Sequence, residues 1–234
     1  MLTIYTITYN EELMIKFFIN HYREKFPNCK IVIYDNYSTD NTVNIAKKYN
    51  CDIKYFDSNN QISETKYLEI KNNCWKESTT DWVIVCDCDE LVNISQDKLK
   101  IEELKGSTII NFEGYDMINL SKDTDLYKIK NGVRNKMYDK RILFNKKNIN
   151  EINYEAGCHT CNPIGDVLYS KEVYKLFHYK YLSEDYLISR YKLFSSRLSE
   201  ENKKNKWGTH YIKQENEIRN NFKDLKNKSQ IVHE

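Results

Sequence analysis

The sequence predicts an α/β fold with a mostly parallel central sheet flanked by helices. Over residues 2–87, strand-like apolar runs alternate with amphipathic helical segments. Strands that are joined by helices pair in parallel through right-handed crossovers. After Leu91 the apolar runs are short and no clear helices separate them, which indicates a mixed-sheet extension. Helical periodicity returns from Ser183, so we expect helices at the C-terminal end.

The first half is predicted element by element from its periodicity. Strands are predicted at residues 2–8, 30–34, 52–56 and 82–87. Three helices are predicted from apolar residues at helical spacing, namely Met14, Phe18, Tyr22 and Phe26, then Val43, Ala46 and Tyr49, then Tyr67, Ile70 and Cys74. Pro27 is expected to end the first helix and Ser38 to cap the second. The third is expected to run from about Ile62 to Ser78.

The second half gives weaker signals. Strands are predicted at Ser107–Phe112, Leu126–Ile129 and Lys140–Phe144. A helix that begins at Ser183 has an apolar face of Leu187, Tyr191, Phe194 and Leu198, and a polar helical tail from about Gly208 carries Tyr211, Ile218, Phe222 and Leu225. We expect a single domain over residues 1–234, made of a ligand-binding half (1–92), a second half (93–200) and the tail (201–234).

Composition excludes several classes of protein. The chain has 36 Lys and Arg against 34 Asp and Glu, a formal net charge of +2, so no basic field indicates a nucleic-acid partner. Its seven cysteines are odd in number, unlike a disulfide framework. No segment has the roughly 20 apolar residues of a transmembrane helix, and the N-terminus lacks secretory features. We therefore expect a cytoplasmic protein without a transmembrane segment; its oligomeric state is left open.

The stretch from Asp81 to Glu90 carries the clearest chemical signal. An apolar run that suits a strand covered on both faces ends in Asp87, Asp89 and Glu90. In an open α/β sheet, ligands bind at the carboxyl ends of the strands. Carboxylate oxygens at that edge suit Mg²⁺ or Mn²⁺, which keep coordination positions for phosphate oxygens. The sequence therefore predicts a site for a metal ion and a phosphate.

Three motifs in order, each after a predicted strand, resemble those of GT-A glycosyltransferases of the family 2 type. They are Thr8-Tyr9-Asn10-Glu11, Asp35-Asn36-x-Ser38-Thr39-Asp40-x-Thr42 and Asp87-x-Asp89. The resemblance is strongest over residues 1–92, and Tyr37 stands where the family pattern has Gly. The chain is also similar to glycosyltransferase domains of large algal (chlorella) viruses, which implies a host-cytoplasmic location.

The resemblance implies a GT-A, Rossmann-like fold and a nucleoside-diphosphate sugar donor of the UDP or dTDP type. The implied donor-binding residues are Thr8, Tyr9, Asn10, Glu12, Asp35, Lys71 and Asp87. Asp35 could accept the N–H of a pyrimidine, although a role in a turn is the alternative. The implied ligands of Mn²⁺ or Mg²⁺ are Asp87, Asp89 and His178. Glu90 is expected to orient one of these ligands or a water molecule.

Family 2 members usually invert the anomeric centre, and this requires a base for the acceptor hydroxyl. Glu155 is the first candidate, with His159 and Asp116 in reserve. The implied acceptor is a glycan or a glycoprotein. Three alternatives stay open on the residues alone: a zinc site built from Cys86, Cys88, Cys158, His159 and Cys161, a nucleotidyltransferase acting on sugar phosphates, and a non-catalytic glycan-binding module.

Overall fold

The computed structural model describes residues 1–121 and 125–233. The strands are β1 Leu2–Thr8, β2 Lys30–Asp35, β3 Asp52–Tyr55, β4 Trp82–Asp87, β5 Glu90–Asn93, β6 Ile109–Ile118, β7 Asn131–Arg134, β8 Leu143–Asn145, β9 Ile149–Glu151, β10 Ile164–Gly165, β11 Tyr169–Tyr181 and β12 Gln230–Ile231. The helices are α1 Glu12–Lys25, α2 Thr42–Lys48, α3 Glu64–Asn73, α4 Gln96–Leu104, α5 Glu184–Arg197, α6 Glu200–Lys204 and α7 Glu215–Lys228.

The first four strands form the predicted parallel sheet, in the order β4-β1-β2-β3. The chain moves outward from β1 to β3 and then returns to the other side of β1. β1 is therefore a topological switch point, where the crevice between strand ends receives ligands. The register aligns Thr8 with Asp35 and Ile7 with Asp87, so three predicted site residues reach one edge of the sheet.

The second half extends the same sheet with mixed pairing, as predicted. β8 lies antiparallel to β4, and β6 pairs with β7, β8 and β11. β11 runs parallel to β6 and antiparallel to β5. In the described ranges this sheet has ten strands, and a separate pair joins β9 and β10. The predicted α/β class, with a mostly parallel central sheet and a mixed extension, is confirmed.

Both faces of the sheet are covered. Alternate residues of β1 point to opposite faces, so that Ile4 packs in one apolar cluster and Tyr5 in the other. The larger cluster is built on α1, whose Phe18 and Tyr22 are fully buried. On the opposite face Trp75 meets Phe144 edge to face, with ring centroids 5.0 Å apart. The strand ends that form the site are thus held between two apolar layers.

Three predictions of local structure are wrong. Ser38 does not cap α2, which begins after Asn41; its hydroxyl donates to Asp35 at 2.6 Å instead. α3 is shorter than predicted because Ser63 caps its start and the chain turns after Asn73. Residues Leu126–Lys128 form a 3₁₀ turn rather than a strand, because the Asp125 carboxylate accepts from the N–H of Tyr127.

The structure also contains elements that the sequence pattern did not predict, namely β5, α4, β7, β9, β10, β11, α6 and β12. The predicted C-terminal helices are present as α5, capped by Ser183, and α7. No helix in the described part of the chain is both long and apolar enough to cross a bilayer.

Ser183→Ala should destabilise the fold by about 1 kcal/mol, because the Ser183 hydroxyl accepts from the N–H of Tyr186 at 3.1 Å and caps α5. Ser196→Ala on the exposed face of the same helix is the matched control and should be neutral or stabilising by up to about 0.5 kcal/mol. Urea unfolding of both variants measures the difference. Equal losses would contradict the capping role.

Candidate active site

A cavity of about 390 Å³ opens at the carboxyl ends of β1 and β4. Its walls come from the loop after β1, from α3 and α5, and from three loop segments around residues 137–140, 156–159 and 206–211. Pockets of roughly 300–1,000 Å³ bind small molecules and cofactors. The predicted residues Thr8, Tyr9, Lys71, Asp87, Asp89, His159 and His178 line this cavity.

Two lysines hold Asp87 at the end of β4. Lys71 Nζ on α3 lies 2.6 Å from one carboxylate oxygen, and Lys140 Nζ lies 3.7 Å from the other. The β4–β8 register, continued by three residues, places Lys140 opposite Asp87. Burial raises the pKa of the Asp87 carboxyl, but the two lysines outweigh it and hold that pKa well below its usual range. Asp87 is therefore ionised.

Glu90 lies behind Asp87 and is almost fully buried. One of its carboxylate oxygens pairs with the ammonium group of Lys140, which is also buried, and the other accepts from the Asp87 backbone N–H at 3.2 Å. Burial lowers the pKa of Lys140, yet Glu90 and Asp87 raise it overall. Glu90 thus keeps the neighbouring Lys140 protonated and holds the backbone of the acidic turn at Asp87.

β11 brings His178 beside Asp89. The β11 register aligns His178 with Glu90 on one side and with Asp116 on the other. Its Nδ1–H donates to Asp116 at 2.6 Å, and its Nε2 lies 3.4 Å from an Asp89 carboxylate oxygen. Burial lowers the pKa of His178, but Asp89 and Asp116 raise it to about 9. The imidazole is thereby oriented towards Asp89.

Tyr138 stacks on the His178 ring at a centroid distance of 3.9 Å. This approach depends on Gly114 in β6, since a Cβ at that position would lie 2.2 Å from the Tyr138 Cβ. Asn135 donates to the second oxygen of Asp116 at 2.8 Å. The His178 ring is therefore fixed on one side by the Tyr138 ring and at Nδ1 by the Asp116 carboxylate. Asn135 fixes that carboxylate in turn.

The donor chemistry of Asp89 and His178 fits a divalent cation as part of a composite site. Within residues 1–121 and 125–233, no group of three or more His, Cys, Asp or Glu side chains is arranged to hold a metal ion. The predicted trio is thus not preformed, because Asp87 pairs with lysines while Asp89 faces His178. Mg²⁺ is commonly held by one or two carboxylates plus phosphate oxygens, and the remaining positions here would need such oxygens.

The loops after β1 and β2 lock together and take three predicted donor residues away from the cavity. Asp35 is fully buried and accepts from Thr8 Oγ1 and from the backbone and side chain of Ser38. Asn10 accepts from the N–H of Thr39 at 2.8 Å, and Glu12 accepts from the N–H of Asn41 at 2.8 Å. The alternative role of Asp35 in a turn is the one its contacts satisfy.

Tyr37, which stands at the Gly position of the family pattern, keeps the left-handed backbone that glycine favours, with φ of 53°. Its ring stacks on Tyr55 at a centroid distance of 5.4 Å. Tyr37 therefore adopts a backbone conformation that a glycine would adopt without strain.

Of the three candidate bases, only His159 lines the cavity. Glu155 is exposed and bonds the hydroxyl of Thr160, so its position does not fit the predicted role. Asp116 lies behind His178 and orients it, so it has no access to an acceptor. His159 Nδ1–H donates to the Met137 carbonyl at 2.8 Å, so Nε2 carries the lone pair of the neutral ring. Burial lowers the pKa of His159, so the imidazole is neutral near pH 7.

Three basic residues of the site were not predicted. No sequence pattern marks Lys140 as a site residue, because its position beside Asp87 depends on the pairing of β4 with β8. Arg190 and Arg197 follow Leu187 at the spacing of one helical face, and two basic residues on the apolar stripe of α5 were a usable signal. Arg190 pairs with Glu11 at the cavity wall and donates to the Asn10 carbonyl at 2.9 Å.

The zinc alternative finds no support. All seven cysteines are unpaired thiols, and Cys86 lies within 3.5 Å of the Tyr22 hydroxyl rather than among metal ligands. Within residues 1–121 and 125–233, these cysteines and His159 form no group of three or more side chains that could hold a metal ion.

The sequence match to known families agrees with this geometry. The family model described as glycosyl transferase family 2 matches residues 3–161. The chain belongs to this family. The match spans the strand ends, α3, the acidic turn and the loop that carries His159.

Two curated relatives are each 28% identical over 112 residues, namely the SPbeta prophage-derived glycosyltransferase SunS of Bacillus subtilis and glycosyltransferase SunS of Bacillus phage SPbeta. These alignments cover 48% of this chain and 25% of each relative, so the chain spans about a quarter of their length. Among solved structures, S. aureus TarS 1–349 in complex with UDP is similar in fold, with a TM-score of 0.50 and 16% identity over 84% of this chain and 64% of that one.

Lys140→Met should destabilise the protein by about 3–5 kcal/mol, because it leaves Glu90 buried without its counter-charge. Adding Glu90→Gln should recover part of the loss. Lys147→Met, which removes an exposed pair with Asp81, is the control and should cost less than about 1 kcal/mol. Denaturant unfolding measures all three. A loss at Lys140 no larger than that at Lys147 would refute the buried pair.

Proposed function

We propose that the chain is the catalytic domain of a metal-dependent, inverting glycosyltransferase that uses a nucleoside-diphosphate sugar of the UDP or dTDP type. The observation that carries this proposal is the group of Asp87, Asp89 and His178, placed at the switch-point edge of the sheet in a cavity of about 390 Å³. Membership of glycosyl transferase family 2 supports it. A nucleotidyltransferase or a glycan-binding module has no such support.

The charges of the cluster favour a divalent cation. Four carboxylates lie together, and two ammonium groups face them; the carboxylates are Asp87, Asp89, Glu90 and Asp116, and the ammonium groups belong to Lys71 and Lys140. With His178 neutral the set is left with two excess negative charges. Without a cation, His178 takes up a proton, in line with its pKa of about 9. Asp89 and His178 would hold Mn²⁺ or Mg²⁺.

Each residue of the cluster then has a defined task. When bound, the cation supplies a Lewis acid that stabilises the leaving diphosphate. Lys71 and Lys140 keep Asp87 ionised and add positive charge beside the same diphosphate. Tyr138 and Asp116 orient His178 from behind. Tyr9 and Thr8, at the end of β1, are placed to contact the nucleoside.

His159 is our choice of general base. Its Nε2 is unprotonated in the neutral tautomer that the Met137 carbonyl selects, and its ring lines the cavity. It would take the proton of an acceptor hydroxyl as that oxygen attacks the anomeric carbon from the face opposite the diphosphate. Residues 93–200, which supply this loop and β11, would form the acceptor side, and residues 1–92 would bind the donor.

TarS, which shares the fold, was solved in complex with UDP, and a donor of the UDP type is proposed for this chain by analogy. A glycan or glycoprotein acceptor, a single domain over residues 1–234, a viral origin and a cytoplasmic location are proposed from the sequence.

Asp89→Asn should lower metal-dependent turnover of the UDP-sugar by about 10²–10³-fold, since it removes a negative ligand next to the diphosphate. The melting temperature in EDTA near pH 7 should fall, because without a cation Asp89 pairs with the protonated His178. Mn²⁺ with UDP should raise the melting temperature of the wild type and fail to raise that of the variant. Asp97→Asn on the exposed surface of α4 is the control. Normal turnover by the Asp89 variant would refute the metal role.

A further inference from the structure

Arg197 is a buried cation with an unmade hydrogen bond. It ends α5, is 5% exposed and lines the cavity. Its Nε donates to the Asn60 carbonyl at 3.0 Å, whereas its Nη2 has no hydrogen-bond partner among the residues that the structure describes. A buried polar group left without a partner costs about 1–3 kcal/mol. Such a group at a cavity wall indicates that a ligand supplies the missing acceptor.

The surroundings of Arg197 are aromatic rather than acidic. Its guanidinium carbon lies 3.2 Å from the centroid of the Tyr9 ring. No ion pair within 4.0 Å involves Arg197 in the described ranges, in contrast with Arg190, which pairs with Glu11. A planar guanidinium stacked on a ring keeps its edge available for hydrogen bonds. The edge of Arg197 is therefore available to an acceptor oxygen in the cavity.

The backbone of Arg197 is tied to the residues that precede α3, whereas the acidic cluster meets the last turn of that helix. The N–H of Ile62 donates to the Arg197 carbonyl at 2.6 Å, which ties the end of α5 to the residues just before α3. α3 begins at Glu64, and seven residues further along it lies Lys71, whose ammonium group meets Asp87. These seven steps along a helix span about 10 Å. An extended nucleoside diphosphate with its phosphates at the acidic cluster would place its base near Arg197.

We propose that Arg197 is a specificity residue for the nucleobase, whose Nη2 donates to a carbonyl oxygen of a uracil or thymine ring. This inference rests on the proposed function, because it assumes that the diphosphate lies at Asp87 and Asp89. Pyrimidine-dione bases carry two carbonyl acceptors, and nucleobases also stack on guanidinium planes and aromatic rings. Arg197 and Tyr9 offer both kinds of contact. A phosphate contact is the competing role that the experiment separates.

The test compares a ligand that has a base with one that has none. In the presence of Mn²⁺, calorimetric titration of UDP and of inorganic pyrophosphate is carried out on the wild type, Arg197→Met, Arg197→Lys and Arg219→Met. Arg197→Met should weaken UDP binding by about 10–100-fold, because a hydrogen bond from a charged donor is lost, and should leave pyrophosphate binding within about twofold. Arg197→Lys should also weaken UDP binding, and the half-buried Arg219→Met control should change the binding of neither ligand.

Each outcome decides the assignment. If UDP and pyrophosphate weaken equally, Arg197 contacts phosphate and the base assignment is wrong. If UDP binds unchanged to Arg197→Met, the arginine has a structural role only. Should Arg197→Met fold poorly in a thermal melt, Arg197→Lys, which keeps the charge, carries the same comparison. A wild type that binds neither UDP nor, in a parallel titration, dTDP overturns the proposed function itself. Binding of UDP by the wild type with no effect of the Arg197 substitutions overturns this inference alone.

Discussion

Two buried lysines control the acidic turn at the end of β4. Lys71 approaches the Asp87 carboxylate from α3, and Lys140 approaches it from the segment before β8. Lys140 also pairs with Glu90. Without them, three carboxylates within four residues would repel one another in a desolvated edge of the sheet. The lysines neutralise Asp87 and Glu90. The carboxylates left without a lysine partner are Asp89 and Asp116, which share His178. The same ion pairs therefore stabilise the fold and locate the proposed cation.

The sheet topology explains why these groups meet. β1 is a switch point, so its end and the end of β4 border one crevice. The antiparallel pairing of β8 with β4 places Lys140, just before β8, opposite Asp87. β11 pairs with β5 on one side and with β6 on the other, and so places His178 between them. Each of these placements depends on a register, and a shift of one residue would turn the side chain to the opposite face. The site thus needs the mixed extension as much as the parallel half.

Sequence reasoning predicted the parts whose signals are local. The apolar runs of β1 and β4 and the amphipathic α1 need no knowledge of distant pairing. The family resemblance assigned Asp87, Asp89, Lys71 and His178 to one site, and these four side chains line one cavity, while their roles stay predictions. β11 was missed because its first half is exposed and polar, so it lacks the alternation of a half-buried strand. Lys140 was missed because only the β4–β8 register makes it part of the site. Glu155, the first candidate base, could not be located from the sequence because its loop turns the carboxylate towards Thr160.

The central claim is that a divalent cation, held by Asp89 and His178, binds the diphosphate of the donor beside Asp87. The most direct measurement is anomalous scattering from crystals grown with Mn²⁺ and UDP. The account predicts a manganese peak within bonding distance of an Asp89 carboxylate oxygen and of His178 Nε2, with diphosphate oxygens completing its coordination. UDP bound in the cavity with no manganese at Asp89, or manganese and UDP bound elsewhere, would contradict it.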